Sequence, residues 1–506
     1  MLASSMAFID GTVVNVALPA LQKDLDATAI GVQWVVESYS LFLSALLLVG
    51  GSLGDYYGRR RVFLMGVCLF AIASIWCGLS PGIDQLIVAR AVQGVGGALL
   101  VPGSLAIISA SFPAEERGRA IGTWSGFSAM TTAIGPVLGG WLIENVSWRA
   151  VFFLNIPLAA AVIFIALRHV PESRARTRAG SIDWTGALLV TLGLGGLTYG
   201  LIESSRLSFR EPLVVVAFIG AILALIGFVF IELRSKAPML PLKLFRSRNF
   251  TGANLLTFLL YFSLSGGFFF LALNLIQVQS FSATAAGAAL LPFVLIMFSL
   301  SRWSGGLIER YGARLPLTIG PLVAAAGYAL IAIPGTHASY WSGFLPGVVV
   351  LGLGMAISVA PLTTTIMSSV SEAQAGVASG INNAVSRVAG LLAIAVLGVV
   401  MLQVFGKDLE ARLKLLDIPE STRTDLYHQR IRLAGVDIND LDQPIDTTTR
   451  NAVQDAIHES FISGFRVSMM ICAGLAMAGG LVSYLLIDKR RTGERNTSVR
   501  TSQGAR

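Results

Sequence analysis

Charge is scarce in this chain. Asp, Glu, Lys and Arg make up only 13% of its 506 residues, whereas hydrophobic residues make up 54%. In a soluble domain, about a quarter of the residues are charged. The scarcity therefore excludes an ordinary soluble protein and indicates an integral membrane protein.

Cysteine and histidine are also few. Of three cysteines, Cys68 and Cys77 lie nine residues apart on one predicted helix, too far for a disulfide, and the four histidines lack the spacing of metal ligands. The sequence contains no G-x-x-x-x-G-K-[ST] stretch and no motif that joins a nucleophile to a base. The sequence therefore implies no disulfide framework or metal site, and these absences argue against ATP hydrolysis and against an enzyme.

Long apolar stretches, in contrast, recur along most of the chain. Each has about 20 residues, enough for a helix to cross about 30 Å of hydrocarbon. We predict fourteen spans, near 1–21, 33–53, 62–80, 85–109, 119–142, 149–168, 183–203, 212–232, 250–276, 283–307, 315–334, 341–367, 376–404 and 461–487.

The basic residues lie mainly between these spans. The net charge is +8, and clusters such as Arg59 to Arg61 follow the even-numbered spans. This is the pattern of a membrane topology signal, not of a nucleic-acid site, and it places both termini in the cytoplasm. The connection after span twelve contains no Lys or Arg and gives this orientation no support.

An internal repeat relates the two ends of the chain. "GSLGDYYGRR" at 51–60 follows span two, and "GGLIERYGAR" at 305–314 follows span ten at an offset of 254 residues. A weaker echo relates Pro102, Gly118 and Gly122 to Pro361, Gly376 and Gly380. We predict a duplicated six-helix unit with two extra spans between the copies, an organisation typical of secondary transporters.

Four short stretches have a common resemblance. They are "GSLGDYYGRRR" at 51–61, "LIVARAVQGVGGA" at 86–98, "TAIGPVLGGWL" at 132–142 and "IDGTVVNVALP" at 9–19. Together they resemble the major facilitator superfamily, in particular its fourteen-helix drug:proton antiporter family of the QacA/EmrB type. The resemblance covers essentially the whole chain. It implies an all-α integral membrane fold of two six-helix bundles plus two extra central helices, driven by the proton motive force without a cofactor.

The stretch after span two resembles the gating loop of this family. The candidate gating residues are Gly51, Asp55, Gly58, Arg59 and Arg60, with Glu309, Arg310, Gly312 and Arg314 in the repeat. Asp55 is expected to meet a helix N-terminus or an arginine across the bundle and to hold the outward-open state. Tyr56 stands where the family often has Arg. A purely topogenic turn would explain the arginines but not an acid repeated as Glu309.

Three charged residues inside spans are candidates for proton coupling. Asp10 lies about 16 Å from the outer end of span one, and Arg90 lies about one to two turns inside span four. Such charges are costly unless paired, so Arg90 is expected to reach an acid on span one or two. Glu37, about one turn inside span two, is the third candidate. The alternatives are a helix-break cap for Asp10, snorkelling for Arg90, and attraction of cationic substrates or simple wetting for Glu37.

In span five, Gly135, Pro136, Gly139 and Gly140 resemble the antiporter motif of this family. Thr131 stands where the motif usually has its first glycine. Proline and small residues predict a bent, tightly packed helix, and the resemblance associates this helix with export. Candidates for lining the substrate cavity are Asn15, Gln93, Trp124, Asn382, Asn383 and Arg387.

The predicted organisation has six parts. They are the N-terminal six-helix bundle (1–168), two inserted helices with basic cytoplasmic linkers (169–249), the first five helices of the C-terminal bundle (250–404), a polar outer-face loop (405–460), the last helix (461–488) and a basic cytoplasmic tail (489–506). The outer-face loop has helical apolar spacing. It is open whether this loop covers the outer mouth, binds an envelope partner or only connects two helices.

The sequence thus predicts a proton-coupled exporter of amphipathic or cationic small molecules in a bacterial cytoplasmic membrane. The expected partners are the lipid bilayer, the substrate and protons, with an envelope adaptor protein as an open candidate and no nucleic acid. The alternative is a dedicated exporter of one metabolite, antibiotic or lipid-like product. A non-transporting sensor or scaffold is less favoured, because it would not need Asp10 or Arg90.

Overall fold

The computed structural model describes residues 2–111, 131, 134–173, 183–235, 238, 240–370, 375–436 and 447–488. Within these ranges every regular element is helical. Thirteen stretches are long and apolar enough to cross a membrane. They match the predicted spans other than span five, most of which lies outside the described residues. The predicted all-α membrane fold is confirmed.

The described part of the first half contains seven helices. They are α1 (Leu2–Asp24), α2 (Ala29–Tyr57), α3 (Arg59–Leu79), α4 (Ile83–Ser111), α5 (134–145), α6 (Ala150–Phe153) and α7 (Asn155–His169). Helices α6 and α7 together form predicted span six.

The inserted hairpin and the second half follow. The hairpin is α8 (Trp184–Leu207) and α9 (Pro212–Arg234). The second half contains α10 (Arg248–Leu273), α11 (Ala283–Ala288), α12 (Leu291–Gly305), α13 (Leu307–Tyr311), α14 (Arg314–Ile331), α15 (Leu345–Ser368), α16 (Ala375–Leu413), α17 (Glu420–His428) and α18 (Thr447–Leu486).

The packing repeats between the halves as the sequence repeat does. In the first half α4 packs against both α2 and α3, and in the second half α15 packs against both α12 and α14. A Cβ on Gly96 of α4 would lie 2.6 Å from the backbone nitrogen of Phe70 on α3, and a Cβ on Gly354 of α15 would clash with the same atom of Ala324 on α14. Small residues thus permit close helix contact at equivalent points of both halves.

The polar outer-face loop is largely a continuation of its neighbouring helices. Helix α16 extends to Leu413, well past the predicted span end at 404, and α18 begins at Thr447, before the predicted start at 461. The two segments with predicted helical spacing, 408–416 and 451–461, belong mostly to these extensions. Between them, α17 leads into a 3-10 segment at Gln429–Gly435.

The inserted hairpin packs along one side of the first half. Helix α8 contacts α2 and α16, while α9 contacts α8 and exposes a long apolar face. Leu41 of α2, Leu194 of α8 and Leu391 of α16 form one buried cluster. The hairpin therefore covers the line along which α2 of the first half meets α16 of the second half.

Candidate functional site

Asp10 lies in a buried polar network that joins three helices. Its side chain is 1% exposed, and its Oδ2 lies 2.5 Å from Nη1 of Arg90 on α4. Its Oδ1 accepts hydrogen bonds from Nε2 of Gln93 at 2.8 Å and from Nδ2 of Asn155 on α7 at 3.4 Å. The carboxylate is therefore paired and hydrogen-bonded on both oxygens, as a charge in such a place must be.

Arg90 is held on several sides. Besides Asp10, its Nη1 donates to Oε1 of Gln93 at 2.6 Å and its Nε donates to the carbonyl of Val35 on α2 at 3.1 Å. The guanidinium also lies 4.3 Å from the ring centroid of Tyr39. Snorkelling to the bilayer surface does not describe this side chain, which is 1% exposed.

Ser74 on α3 also bonds to two members of this network. Oγ of Ser74 on α3 accepts from Gln93 at 2.7 Å and from Asn155 at 3.0 Å. Ser74 and Asn155 were not among the predicted site residues. A single serine or asparagine in an apolar span is common, so the sequence signal for either was weak. The contacts of Ser74 with Gln93 and with Asn155 join residues that lie 19 and 81 positions apart in the chain.

Glu37 lies apart from this network. It is fully buried, and neither of its carboxylate oxygens has a hydrogen-bond partner. The alternative that solvent simply wets Glu37 is therefore wrong, while its role in proton coupling stays a prediction. It lies in the third turn of α2, where the neighbouring helices cover it.

The predicted cavity residues differ in their surroundings. Gln93 belongs to the Asp10 network, and Nδ2 of Asn382 donates to Thr257 Oγ1 at 2.6 Å across α16 and α10. Asn15 is half-buried and Asn383 is exposed. Trp124 lies outside the described residues.

A surface between α1 and α16 remains open. Gly11 of α1 is exposed, although Asp10 beside it is buried. The guanidinium of Arg387 on α16 lies 5.7 Å from the ring centroid of Phe8, one turn from Gly11. We define Phe8, Gly11, Asn15, Asn383 and Arg387 as the cavity surface. On this surface, the face of α1 that carries Gly11 lies opposite the positive charge of Arg387.

The glycines of α5 lie where that helix packs between α1 and α11. A Cβ on Gly135 would clash with Thr12, and one on Gly139 would lie 2.7 Å from Val13 Cγ1. On the other side, a Cβ on Gly140 would lie 2.5 Å from the backbone nitrogen of Thr284. Pro136 contacts Gly287 of α11. The predicted close packing is present, and it joins the two halves.

Further contacts join the halves at the end of the bundle where α1 ends. Nε2 of Gln277 donates to Oε1 of Gln22 at 3.0 Å, and Nε2 of Gln22 donates to the carbonyl of Arg432 at 3.0 Å. Arg432 in turn pairs with Asp26 at 2.6 Å. The bundle is closed at this end.

Glu144, just beyond predicted span five, also belongs to this closed end. Its Oε1 accepts the backbone N–H of Thr284 at 2.6 Å. Burial acts to raise the pKa of Glu144, but hydrogen bonds from Thr284 and Ser282 outweigh it and lower the pKa below its ordinary value. The carboxylate is thus stabilised in its charged form at this contact.

The predicted gating loop binds within its own half in the described part of the chain. Gly58 has φ of +115°, and the carboxylate of Glu172 after α7 accepts the backbone N–H groups of Arg60 at 3.0 Å and Arg61 at 3.2 Å. Nη1 of Arg60 donates to the carbonyl of Val170 at 3.0 Å. Glu172 therefore caps the N-terminus of α3, a role that the sequence analysis missed.

The other gating candidates have mixed outcomes. A Cβ on Gly51 would lie 3.7 Å from Cβ of Pro102, Gly312 has φ of +76°, and the guanidinium of Arg314 lies 4.0 Å from the ring centroid of Tyr484. Arg310 lies 5.6 Å from the ring of Tyr311, and the backbone N–H of Arg59 donates to the Ser173 carbonyl. The side chains of Asp55 and Glu309 lie outside the described part of the structure, so the contact predicted for Asp55 stays a prediction.

The comparison with known families decides what this arrangement is. The model of the Major Facilitator Superfamily matches residues 1–394. The chain belongs to this superfamily. It is a multi-pass membrane transporter and not an enzyme.

Relatives of this superfamily member are resistance and export proteins. It is 34% identical to multidrug resistance protein Stp of Mycobacterium tuberculosis (strain CDC 1551 / Oshkosh) over 475 residues, covering 92% of this chain and 87% of the relative. It is 33% identical to the tetracenomycin C resistance and export protein of Streptomyces glaucescens over 486 residues, 94% and 88% of the two chains.

Solved structures support the same transporter fold. A bacterial homologue of the human lysosomal transporter Spinster aligns with a TM-score of 0.66 and 17% identity over 97% of both chains. The xylose transporter XylE of E. coli aligns with a TM-score of 0.56 and 14% identity, covering 98% of this chain and 97% of the other. At these identities the likeness concerns the fold alone.

Proposed function

We propose that this transporter exports amphipathic small molecules in exchange for protons, from the cytoplasmic membrane of a bacterium. The observation that supports this most strongly is the buried Asp10–Arg90 pair, beside the cavity surface of α1. The names of the relatives support export, since they are resistance and export proteins.

The Asp10 network suits proton coupling for a physical reason. Breaking a buried ion pair by withdrawing one partner costs about 3–5 kcal/mol, because the other charge remains without compensation. If the halves move so that Arg90 withdraws, Asp10 avoids this cost by binding a proton. Protonation of Asp10 is then linked to the conformation of the bundle.

The position of Asp10 connects this link to the substrate. Phe8, Gly11 and Asn15 lie on the open face of the same helix. A substrate that binds between α1 and α16 therefore contacts the helix whose carboxylate takes up the proton. Substrate bound at the cavity surface and a proton bound to Asp10 therefore both change the packing of α1 against α4.

Alternating access is supported by where the halves meet. The contacts of Asp26, Gln22 and Glu144 close one end of the bundle. The distribution of basic residues assigns that end to the outer face and both termini to the cytoplasm. In this conformation the transporter is closed to the outside, and export requires these contacts to break.

The cavity surface refines the substrate class. Arg387 places a positive charge next to Phe8. This charge favours neutral or anionic amphipathic compounds over lipophilic cations at that position, because like charges repel. Aromatic compounds with a polar edge fit this combination.

The test is proton release driven by substrate in energised inside-out vesicles. We expect the native chain to release protons with neutral aromatic compounds and Asp10→Asn to release none, because asparagine cannot exchange a proton. Asp84→Asn, an exposed acid on the same helix as Arg90, is the matched control and is expected to behave as the native chain. Full release from Asp10→Asn would exclude Asp10 from coupling.

A dedicated exporter of one compound is the second candidate. It is favoured by relatives named for a single compound, such as the cephamycin export protein CmcT of Amycolatopsis lactamdurans, 34% identical over 78% of this chain and 82% of its own. A panel of unlike compounds separates the two. Proton release with several of them supports broad export, and release with one supports the dedicated exporter.

A further inference from the structure

A second acidic residue lies on the inserted hairpin, outside the Asp10 network. Glu203 of α8 is 8% exposed, and its Oε1 accepts a hydrogen bond from Nε1 of Trp34 on α2 at 3.2 Å. Trp34 precedes Glu37 by three residues, about one turn on the same helix. The two carboxylates thus lie along one stretch of the α2–α8 contact.

The register of α2 and α8 shows what faces Glu37. The two helices run in opposite directions. Toward one end the ring centroids of Trp34 and Tyr199 are 6.3 Å apart, and toward the other Leu41 packs with Leu194. Glu37 lies between these levels, at about the same height along the two helices as Thr198. The hydroxyl of Thr198 is fully buried and has no hydrogen-bond partner.

Helix α16 closes the third side. Gly398 packs directly against the Gln33 side chain, and Leu391 packs with Leu41. The intervening level of α16, opposite Glu37, presents Ile394 and Ala395, which are both buried. We name the space bounded by these levels of α2, α8 and α16 the seam.

Few charges among the described residues act on the seam. Arg432 of the 3-10 segment lies near the Gln33 level of α2 and is paired with Asp26. Helix α8 contributes Glu203, and α16 contributes Arg387, about two turns from Ile394 toward the cavity surface. On α4 the nearest charge is Arg90, which is bound to Asp10. An unpaired carboxylate in such an enclosure is costly, whereas a neutral carboxylic acid beside a hydroxyl is tolerated. The chemistry of the seam therefore fits a group that holds a proton.

Resting on the proton coupling proposed above, we propose that Glu203 passes protons from the outer face to Glu37, so that the seam is a second proton site. The carboxylate of Glu203 takes a proton from outer water. When its side chain turns from Trp34 toward Thr198, Glu203 donates this proton to the Thr198 hydroxyl, which releases its own proton to Glu37. Glu203 is then ionised again and Glu37 is neutral. The inserted hairpin thereby supplies a second proton entry.

The first test compares Glu203→Gln with Glu211→Gln in vesicles. Glu211 is an exposed acid four residues beyond α8, without a side-chain cap hydrogen bond, and is the matched control. We expect substrate-driven proton flux to fall about a hundredfold in Glu203→Gln, a typical effect of removing a proton-transfer group. It should be unchanged in Glu211→Gln, and equilibrium substrate binding should be unchanged in both. Equal flux in the two variants would overturn the relay.

The second test does not depend on transport. Dicyclohexylcarbodiimide reacts with protonated carboxyl groups in apolar surroundings, and mass spectrometry quantifies its adduct on Glu37. We expect labelling of Glu37 to accelerate as the outer pH falls, and to lose this dependence in Glu203→Gln but not in Glu203→Asp. Labelling that depends on outer pH equally in the native chain and in Glu203→Gln would overturn the proposal.

Two further variants keep the tests independent of folding and of the function proposed above. Trp34→Phe removes only the donor to Glu203, and Thr198→Val removes only the hydroxyl, so both should slow Glu37 labelling.

If the native chain releases no protons with any substrate, the proposed antiport fails, while the labelling result still decides the relay. If Asp10→Asn abolishes proton release and Glu203→Gln does not, only the relay fails.

Discussion

Arg90 connects more of the first half than any other charged residue in the described network. Its guanidinium pairs with Asp10, bonds to Gln93 and to the Val35 carbonyl, and lies over the Tyr39 ring. A planar group with donors in several fixed directions can meet all of these at once, whereas a lysine ammonium cannot.

Arg90→Lys therefore tests whether geometry or charge alone matters. We expect lysine to keep the pair with Asp10 but to leave Val35 or Gln93 without a donor, which costs about 1–3 kcal/mol. Transport in vesicles should fall about tenfold or more. The control is Arg149→Lys, whose arginine pairs with Asp24 at the partly exposed end of α1. Native activity in Arg90→Lys would show that charge alone suffices.

The sequence predicted one part of this network and missed another. Asp10 and Arg90 were found because a charge in a membrane is expensive enough to demand a partner. Ser74 and Asn155 were missed because a hydroxyl or amide can bond to its own helix, so its presence does not demand a distant partner. The role of Glu37 in proton coupling stays a prediction, but its burial was missed, because the sequence does not show which helices pack around it.

At the scale of helices, the junction of α2 and α3 depends on one glycine and one distant carboxylate. Gly58 has a backbone conformation that L side chains rarely adopt, and a Cβ there would lie 2.8 Å from Cδ of Glu172. That carboxylate accepts two backbone N–H groups at the start of α3. The loop resembling the family's gate is therefore also a structural cap.

Gly58→Ala is expected to destabilise the fold by about 1–3 kcal/mol, because it combines backbone strain with a steric clash. Thermal unfolding of the solubilised protein measures this. Gly335→Ala is the matched control, since Gly335 lies in a connection with open space around it and no positive φ. If both variants unfold at the same temperature, Gly58 is not required by its conformation.

The sequence located the helices well and their ends less well. A transmembrane span is recognised by its apolar length, whereas a helix ends only where its hydrogen bonds end. Helices α16 and α18 continue into polar sequence beyond 404 and before 461, stabilised by pairs such as Arg412 with Asp408 and Glu459. Glu172 was missed for a related reason: it lies 112 residues from Arg60 in the chain.

At the scale of the whole molecule, the two halves meet through few polar contacts at their closed end. Arg432 pairs with Asp26, and Gln22 bonds to both Gln277 and the Arg432 carbonyl. Because exposed ion pairs contribute about 0–1 kcal/mol each, these contacts can hold the end closed and still separate readily.

Fixing this end should stop transport. We expect Asp26→Cys combined with Arg432→Cys, joined by a short bismaleimide in a Cys68→Ser background, to lose substrate exchange. The control pair is Asp24→Cys with Arg149→Cys, which joins neighbouring residues within the first half. It should retain exchange after the same treatment. Continued exchange by the joined Asp26–Arg432 pair would contradict alternating access at this end.

The length of α16 has a practical consequence for imaging this molecule. Its 39 residues form a continuous helix of about 58 Å, almost twice the thickness of the hydrocarbon core. The excess projects α17 away from the bilayer on a stiff support. An antibody fragment raised against α17 would therefore be rigidly attached to the second half, and would give a small membrane protein the external marker that particle alignment in electron cryo-microscopy requires.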